Sequence, residues 1–281
     1  MSQVNSGIVS EPKQEKKGQG IGQFFRSIPA WALFLIVVSA CIVIAGLGSW
    51  IGQVRYQSGA RESEQHLGTA VAAILGLLAF MLGFTFSLTW SRYSNRNTLV
   101  IQQAKALEAC YLHTSLLPEN QRSEIQNYLK EYIDILLVIQ SSKEVEKLLE
   151  RLEELHASIW RVTSSLAQAD MDSELRSQFI SSVKDVLNIA LERRIVALKF
   201  RIPAPIWSSL LVLAGMGMLA FGYQTGITGS SRTFDMPLVP IAFGVVIVLI
   251  SDLNSSGVER RFQVTKEPLL EVKKMIEKEI V

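Results

Sequence analysis

Charged side chains are scarce in this chain of 281 residues, at 19%, against about 25% in an average soluble domain. Four stretches contain no Asp, Glu, Lys or Arg at all: 27–54, 65–91, 202–231 and 236–251. About 20 apolar residues in a helix cross a bilayer, so the first three stretches are long enough and the fourth needs its flanks. The pattern excludes an ordinary soluble globular protein and predicts four membrane spans.

Cysteine and histidine are also rare, with two and three copies. Cys41 and Cys110 lie far apart in the chain, so we expect reduced thiols and exclude a disulfide scaffold. The histidines show no spacing typical of a metal site, and the chain has no phosphate-binding loop or catalytic motif. A net charge of +2 is not the strong basic excess typical of a nucleic-acid-binding protein. We therefore expect no enzyme, no metal, no cofactor and no nucleic-acid partner.

The distribution of Lys and Arg predicts how the chain sits in the membrane. The predicted spans cover about 29–51, 67–90, 205–226 and 237–257. Of the 28 Lys and Arg residues, three lie in the short loops between spans one and two and between spans three and four, which leaves 25 elsewhere. Because basic residues stay on the cytoplasmic side, we expect both termini and the middle segment to be cytoplasmic. The bilayer itself is then a partner, and the location is a bacterial plasma (inner) membrane.

The segment 92–201 predicts a helical bundle. It has one proline and no glycine, which favours long helices, and that proline, Pro118, predicts a break and restart between two of them. Apolar residues such as Ile125, Leu129 and Leu136 recur at the spacing of a buried helical face, and Asp172 is a typical helix cap. We expect these faces to pack against one another; the alternative is that they bind a protein partner.

The predicted fold class is therefore all-α: an integral membrane protein with four transmembrane helices and a cytoplasmic helical bundle between the second and third spans. The predicted domains are a disordered cytoplasmic tail (1–27), spans one and two (28–91), the bundle (92–201), spans three and four (202–256) and a cytoplasmic C-terminal amphipathic helix (257–281).

Two aromatic rings share one face of the second span. Phe80 and Phe84 lie one helical turn apart. One interpretation is that they fill a gap toward lipid or within the bundle of spans. The other is that symmetric copies bring them together as a hydrophobic constriction, which would gate a pore by excluding water.

Small residues accompany these rings along the same helix. Gly76, Gly83 and Ser87 lie on the same or a neighbouring stripe, and Leu88 lies one turn beyond Phe84. Such residues allow helices to approach closely in membranes. We predict that these four positions line a pore or pack against other helices.

An acidic residue near the end of the fourth span predicts a charge pair. Asp252 lies within that span, where an ionisable group is costly and faces protein or a water-filled cavity. Its predicted partner is Arg92 at the end of the second span. Further basic residues predicted at the same membrane edge are Arg96, Arg193, Arg194, Lys199, Arg201, Arg260 and Arg261. This basic collar either reflects the positive-inside bias alone, or forms a basic vestibule or contacts anionic lipid headgroups.

Several segments resemble the bestrophin-like family of membrane proteins. They are LGFTFS (82–87), SRY with Arg96 (91–96), EACY with LLP (108–118), RIPAPIW (201–207) and LISDL (249–253). The family is similar to bestrophins, which are pentameric anion channels with four spans, cytoplasmic termini and a pore-lining second helix. The resemblance implies that Phe80 and Phe84 narrow a pore, although the preceding turn holds Gly76 instead of a bulky residue.

The predicted function is a homo-oligomeric ion channel, pentameric and anion-conducting by this resemblance, with chloride among the candidate ions. The alternative is a non-conducting membrane scaffold or sensor whose bundle binds a protein partner. A transporter is a third interpretation, but it would need broken helices at mid-membrane.

Overall fold

A computed structural model of the chain describes residues 29–58, 64–139, 144–166, 172–199, 202–228, 235–254 and 264–278. All the regular structure within these ranges is helical. The α-helices are α1 (Ala30–Gln57), α2 (Glu64–His113), α3 (Glu119–Ile139), α4 (Val145–Ser165), α5 (Ser173–Lys199), α6 (Ala204–Ile227), α7 (Asp235–Asn254) and α8 (Glu267–Lys278). The predicted N-terminal tail, the end of the fourth span beyond Asn254 and the start of the C-terminal segment lie outside the described residues.

Four of these helices are long and apolar enough to cross a membrane: α1, the N-terminal part of α2, α6 and α7. We call the N-terminal part of α2 upper α2 and its C-terminal part lower α2. They coincide with the four predicted spans and confirm the all-helical, four-span fold class. Proline marks two of the starts, because α1 follows Pro29 and α6 follows Pro203. A missing N–H costs little in the first turn of a helix.

Helix α2 extends far beyond its membrane span. Its 50 residues correspond to a length of about 75 Å at about 1.5 Å per residue, more than twice the bilayer's hydrocarbon thickness. It ends at His113 and is followed by a short 3-10 turn over Thr114–Leu116, and α3 begins after Pro118. The break predicted at this proline is confirmed.

The side chains pack into two separate hydrophobic cores that share α2. The span core lies among α1, upper α2, α6 and α7, and it includes Leu33, Leu78, Leu82, Leu210, Met218 and Ile250. The bundle core lies among lower α2, α3, α4, α5 and α8, and it includes Leu107, Ile125, Leu129, Ile159, Phe179 and Leu269. The predicted apolar faces of the middle segment pack on one another, and Asp172 caps α5 by accepting a hydrogen bond from the Glu174 N–H at 2.8 Å.

Helices α1 and α6 meet along a seam of glycines. A Cβ atom added to Gly222 would lie 1.9 Å from the carbonyl oxygen of Ala45, and one added to Gly226 would lie 2.1 Å from that of Ser49. Gly48 and Gly52 on α1 are in the same position against the α6 backbone. The two backbones therefore touch directly, as small residues permit in membrane helices. We call these four glycines the α1–α6 seam.

The junction between the two cores is held by polar contacts. Arg96 Nη2 on α2 donates to the Leu253 carbonyl oxygen at the end of α7, at 2.6 Å. The Ile202 N–H, just before α6, donates to Asn254 Oδ1 at 3.2 Å. One polar layer thus joins α2, α6 and α7 where the spans meet the bundle.

Helix α8 docks on the bundle next to this layer. The Thr265 N–H donates to Asn97 Oδ1 at 3.2 Å, and Lys273 Nζ lies 2.7 Å from Asp134 Oδ1 on α3. Leu269, Val272 and Ile276 form its buried face. The amphipathic character predicted for the C-terminal segment is confirmed for α8, and the charged contacts lie on its outer side.

Candidate functional site

The candidate site is the face of α2 that no other described part of this protomer covers. Phe80 is 68% exposed and Phe84 is 51% exposed, whereas Leu78 and Leu82 belong to the span core. Thr85 and Thr89 are also buried, and each hydroxyl donates to a carbonyl oxygen one turn earlier at 2.7 Å. The two rings therefore point away from the span core rather than filling a gap within the protomer.

The small residues predicted to accompany these rings lie on the same open side. Gly76 and Gly83 are exposed, and a Cβ atom added to either would meet nothing within 4 Å. Ser87 is exposed and Leu88 is partly buried. Among the described residues of one protomer, Gly76 and Gly83 do not pack against a neighbouring helix, whereas close packing of glycine occurs at the α1–α6 seam. Their role in lining a pore stays a prediction.

The open face changes from apolar to polar along the helix axis. Beyond Phe84 toward the C-terminus its polar exposed side chains include Ser87, Ser91, Ser94, Thr98, Gln102 and Lys105, with the apolar Trp90 and Ile101 exposed along one edge. These positions follow the three- and four-residue spacing of one helix face. We call the face from Phe80 to Lys105 the α2 stripe. Hydroxyl and amide groups suit contact with water, whereas a face covered by lipid tails along its length would be apolar.

The charge along α2 has one sign. Between Glu64 and Glu108 the helix contains no Asp or Glu, but it contains Arg92, Arg96 and Lys105. Of these three, Lys105 is exposed on the α2 stripe, whereas Arg92 and Arg96 are partly buried.

Asp252 and Arg92 both lie near the junction layer. Asp252 is 3% exposed, and Arg92 is partly buried with a buried Nη1 that makes no hydrogen bond to the described residues. Arg96 reaches the carbonyl group of Leu253, the next residue after Asp252. The structure thus brings this acidic helix end and the basic part of α2 together, and the specific pair between Asp252 and Arg92 stays a prediction.

The described members of the predicted basic collar have different surroundings. Arg96 bonds to α7, Arg194 is exposed and pairs with Glu153 on α4, and Arg193 faces into the bundle. Lys199 belongs to the last turn of α5. Arg201, Arg260 and Arg261 lie outside the described residues. Arg193 is set apart from the others because α5 packs along α2 and turns this residue toward it.

A buried polar cluster in the bundle escaped the sequence analysis. Gln103 on α2 and Tyr132 on α3 are each 1% exposed, and Gln103 Nε2 donates to Tyr132 Oη at 2.6 Å. Arg193 Nη1 on α5 donates to Gln103 Oε1. Burial raises the pKa of Tyr132 to about 12, with Arg193 and Gln103 opposing that rise. The sequence feature that could have indicated this cluster is Gln103, a polar residue on the helix face that also carries Leu99 and Leu107.

His156 on α4 lies against this cluster. Its ring centroid is 5.2 Å from that of Tyr132, and its Nε2 is buried without a hydrogen-bond partner among the described residues. Burial lowers its pKa, Glu153 raises it and Arg194 lowers it. The imidazole is therefore disposed to be neutral at neutral pH.

Both cysteines are buried free thiols. Burial raises the pKa of Cys110, in the bundle, to about 12, against a hydrogen bond with Ser182 that lowers it. The thiolate is the reactive form, so Cys110 is inert at neutral pH. Among the described ranges, no group of three or more His, Cys, Asp or Glu residues could hold a metal ion.

Known proteins share this architecture. The family of the bestrophin-like domain matches residues 39–256. A leucine-to-threonine variant of a bacterial bestrophin homologue from Klebsiella pneumoniae is similar in structure, with a TM-score of 0.62 and 15% identity, over 86% of this chain and 96% of that one. A tyrosine-to-alanine variant of the Klebsiella pneumoniae homologue has a TM-score of 0.62 and 13% identity over the same shares.

A comparison with curated proteins finds no match. The structural similarity shows the fold, and the family match covers well over half of the chain. The chain therefore belongs to the bestrophin-like family of membrane proteins.

Proposed function

We propose that this protein is a homo-oligomeric ion channel whose pore is lined by the α2 stripe, with Phe80 and Phe84 as its hydrophobic constriction. The observation that carries the proposal is the stripe itself. Two large apolar rings are exposed within the span, and a continuous row of hydroxyl and amide groups follows them toward the bundle. A narrow apolar collar excludes water, whereas the polar part below it stays wet.

The described part of one protomer leaves this stripe open, so we propose several copies around an axis. In a ring, each copy would contribute Phe80 and Phe84, which lie about 6 Å apart along the helix. The rings would then form two stacked apolar collars, and Gly76 and Gly83 would leave room beside them. The structural similarity to bestrophin homologues and the resemblance to pentameric bestrophins favour five copies.

Anions are the proposed permeant ions, with chloride as the first candidate. The support is electrostatic, because the α2 stripe carries the cation Lys105, and the helix has no carboxylate between Glu64 and Glu108. In such a passage a positive potential raises the local concentration of anions. The resemblance of this family to bestrophins implies that its members are channels rather than enzymes, and a channel function agrees with this.

We propose a topology in which both termini and the bundle are cytoplasmic, in a bacterial plasma membrane. The support is the unequal distribution of Lys and Arg between the two sides. Ser58 follows α1 in the short first loop and is exposed, and Ser173 begins α5 in the bundle and is exposed. In intact cells, a membrane-impermeant thiol reagent should label Ser58→Cys but not Ser173→Cys. Labelling of Ser173→Cys from outside would show that the topology is the opposite of the proposed one. Cys41 and Cys110 are buried and give a quiet background.

The test of the constriction is a pair of truncations measured in planar bilayers. Phe80→Ala combined with Phe84→Ala removes both collars, so the purified protein should show a higher conductance or open probability than the wild type. The reversal potential in a chloride gradient should lie near that of a chloride-selective pore.

The matched control is Phe86→Ala. Phe86 packs against the span core and stacks on Trp90 at 6.4 Å between ring centroids. Its truncation should lower thermal stability and leave the current unchanged. If no form of the protein conducts, the non-conducting scaffold or sensor is the correct interpretation. If Phe86→Ala alone opens the pore, α2 is rotated relative to the proposed axis.

A further inference from the structure

We infer that the cluster of Arg193, Gln103 and Tyr132 is a binding site for a small inorganic anion, such as chloride, inside the helical bundle. Gln103 lies on the buried side of α2, whereas the neighbouring Gln102 is exposed on the α2 stripe. The site therefore does not depend on the proposed pore.

The cluster has far more hydrogen-bond donors than acceptors. Arg193 brings five N–H groups, Gln103 two and Tyr132 one O–H, whereas the side-chain acceptors are Gln103 Oε1 and Tyr132 Oη. Each acceptor already takes one hydrogen bond, since Arg193 donates to Gln103 and Gln103 donates to Tyr132 at 2.6 Å. The phenol hydrogen and most of the guanidinium hydrogens have no acceptor among the described residues.

The positive charge of Arg193 also lacks a protein counter-charge. Within the described part of the chain, no carboxylate lies within ion-pair distance of its guanidinium, and its hydrogen bond goes to a neutral amide. The neighbouring Arg194 is different, because it is exposed and pairs with Glu153. A partly buried cation without a counter-ion loses part of its hydration, which is unfavourable. A bound anion would offset that cost.

The chemistry favours a small anion with no preferred shape. Tyr132 and Gln103 are nearly fully buried, so the site has no room for a bulky headgroup without displacing the bundle core. Arg193 is only partly buried, which gives ions from solvent access to the guanidinium. Its pKa is lowered by burial and raised by Tyr132, and a bound anion would favour the charged form further.

The competing acceptor for the phenol is His156. Its buried Nε2 has no hydrogen-bond partner among the described residues, and its ring lies 5.2 Å from that of Tyr132 between centroids. A bond between Tyr132 and His156 would satisfy the phenol but would leave the Arg193 charge unbalanced. The two possibilities differ in their dependence on chloride, which makes them separable.

The first experiment measures the thermal unfolding midpoint of the full chain in detergent, in sodium chloride and in sodium gluconate of equal ionic strength. Chloride should raise the midpoint of the wild type by about 2–4 °C when it is well above its dissociation constant. Arg193→Met should abolish this difference, and Arg194→Met should retain it. An equal chloride response in the wild type and in Arg193→Met would overturn the inference.

Tyr132→Phe guards against a misfolded Arg193 variant, because it removes a single O–H group from the same site. It should raise the half-saturating chloride concentration about tenfold. If it instead lowers the midpoint equally in chloride and gluconate, the phenol donates to His156 and the anion site is refuted. Anomalous scattering from bromide provides the direct readout: a peak against Arg193 supports the site, and bromide bound elsewhere with none at Arg193 refutes it.

Discussion

The α1–α6 seam and the α2 stripe use the same small residue in opposite ways. At the seam, glycines let two backbones touch, and an added Cβ at Gly222 would lie 1.9 Å from a carbonyl oxygen. On the open face of α2, an added Cβ at Gly76 or Gly83 would meet none of the described atoms within 4 Å. A glycine in a membrane helix is therefore not by itself evidence of packing. Its neighbours in space decide whether it closes an interface or leaves one open.

Exchanging glycine for leucine at matched positions should give the largest effect. Gly222→Leu places a branched side chain where the α1 backbone lies, and backbone cannot move aside as a flexible side chain can. We expect a loss of at least about 3 kcal/mol of stability, seen as little folded protein after extraction. Gly83→Leu, on the stripe, should leave the unfolding midpoint of the monomeric chain nearly unchanged. Equal damage from both substitutions would show that the stripe is as tightly packed as the seam.

Substitutions at the junction between the spans and the bundle test whether Asp252 and Arg92 are coupled there. Asp252→Asn removes a charge that is 3% exposed, and we expect a loss of about 3 kcal/mol, as for a buried ion pair with one partner removed. Arg92→Gln in addition should not add a full second loss, because coupled residues are not additive. Lys105→Gln, an exposed cation of the same helix, is the control and should add independently. Thermal unfolding in detergent is measured for the wild type, for each single variant and for the double variants. Fully additive losses for Asp252 and Arg92 would show that the two residues are not coupled.

Thiol accessibility should distinguish the two sides of α2 without a large change in stability. Ser91 is exposed on the stripe, whereas Thr89, two residues earlier, is buried. Ser91→Cys should react readily with a water-soluble thiol reagent and its modification should reduce any current. Thr89→Cys should be unreactive, because burial disfavours the thiolate. Rapid modification of Thr89→Cys would mean that α2 faces the pore with a different side.

Acidification should give the smallest effect, confined to the bundle. The pKa of folded His156 is lowered, so the unfolded chain takes up a proton at a higher pH than the folded chain does. Stability is therefore fully present above the unfolded value of about 6.5 and is lost as the pH falls below it, until the folded group also titrates. His156→Gln should flatten this part of the curve of unfolding midpoint against pH. An unchanged curve would assign the loss to other groups.

Much of the fold followed from local patterns in the sequence. The charge-free stretches located the spans, Pro118 located the break after α2, and Asp172 located the start of α5. These signals act within a few residues, because span length, missing N–H groups and capping are local requirements. The helical repeat likewise places Phe86, two residues beyond Phe84, on nearly the opposite side of α2, where it packs against the span core.

Features that depend on which helices meet could not be predicted in this way. Gly48 and Gly52 have the same spacing as Gly222 and Gly226, but nothing local indicates that the two pairs face each other. Arg193 was grouped with the membrane-edge cations by its distance along the chain, whereas the packing of α5 against α2 turns it toward Gln103. Tertiary contacts determine such positions, and no single helix contains them.

The uninterrupted length of α2 gives the molecule a torsional link between its two halves. From Phe84 to Leu117 the sequence has neither glycine nor proline, so no weak point absorbs a twist between the bundle and the span. Residues three apart on a helix differ by about 300°, which brings Gly83 within about 60° of Phe80 around the axis. If the bundle rotated α2 about its own axis by that angle, Gly83 would take the angular position of Phe80. A hydrogen atom would then replace a phenyl ring at that position.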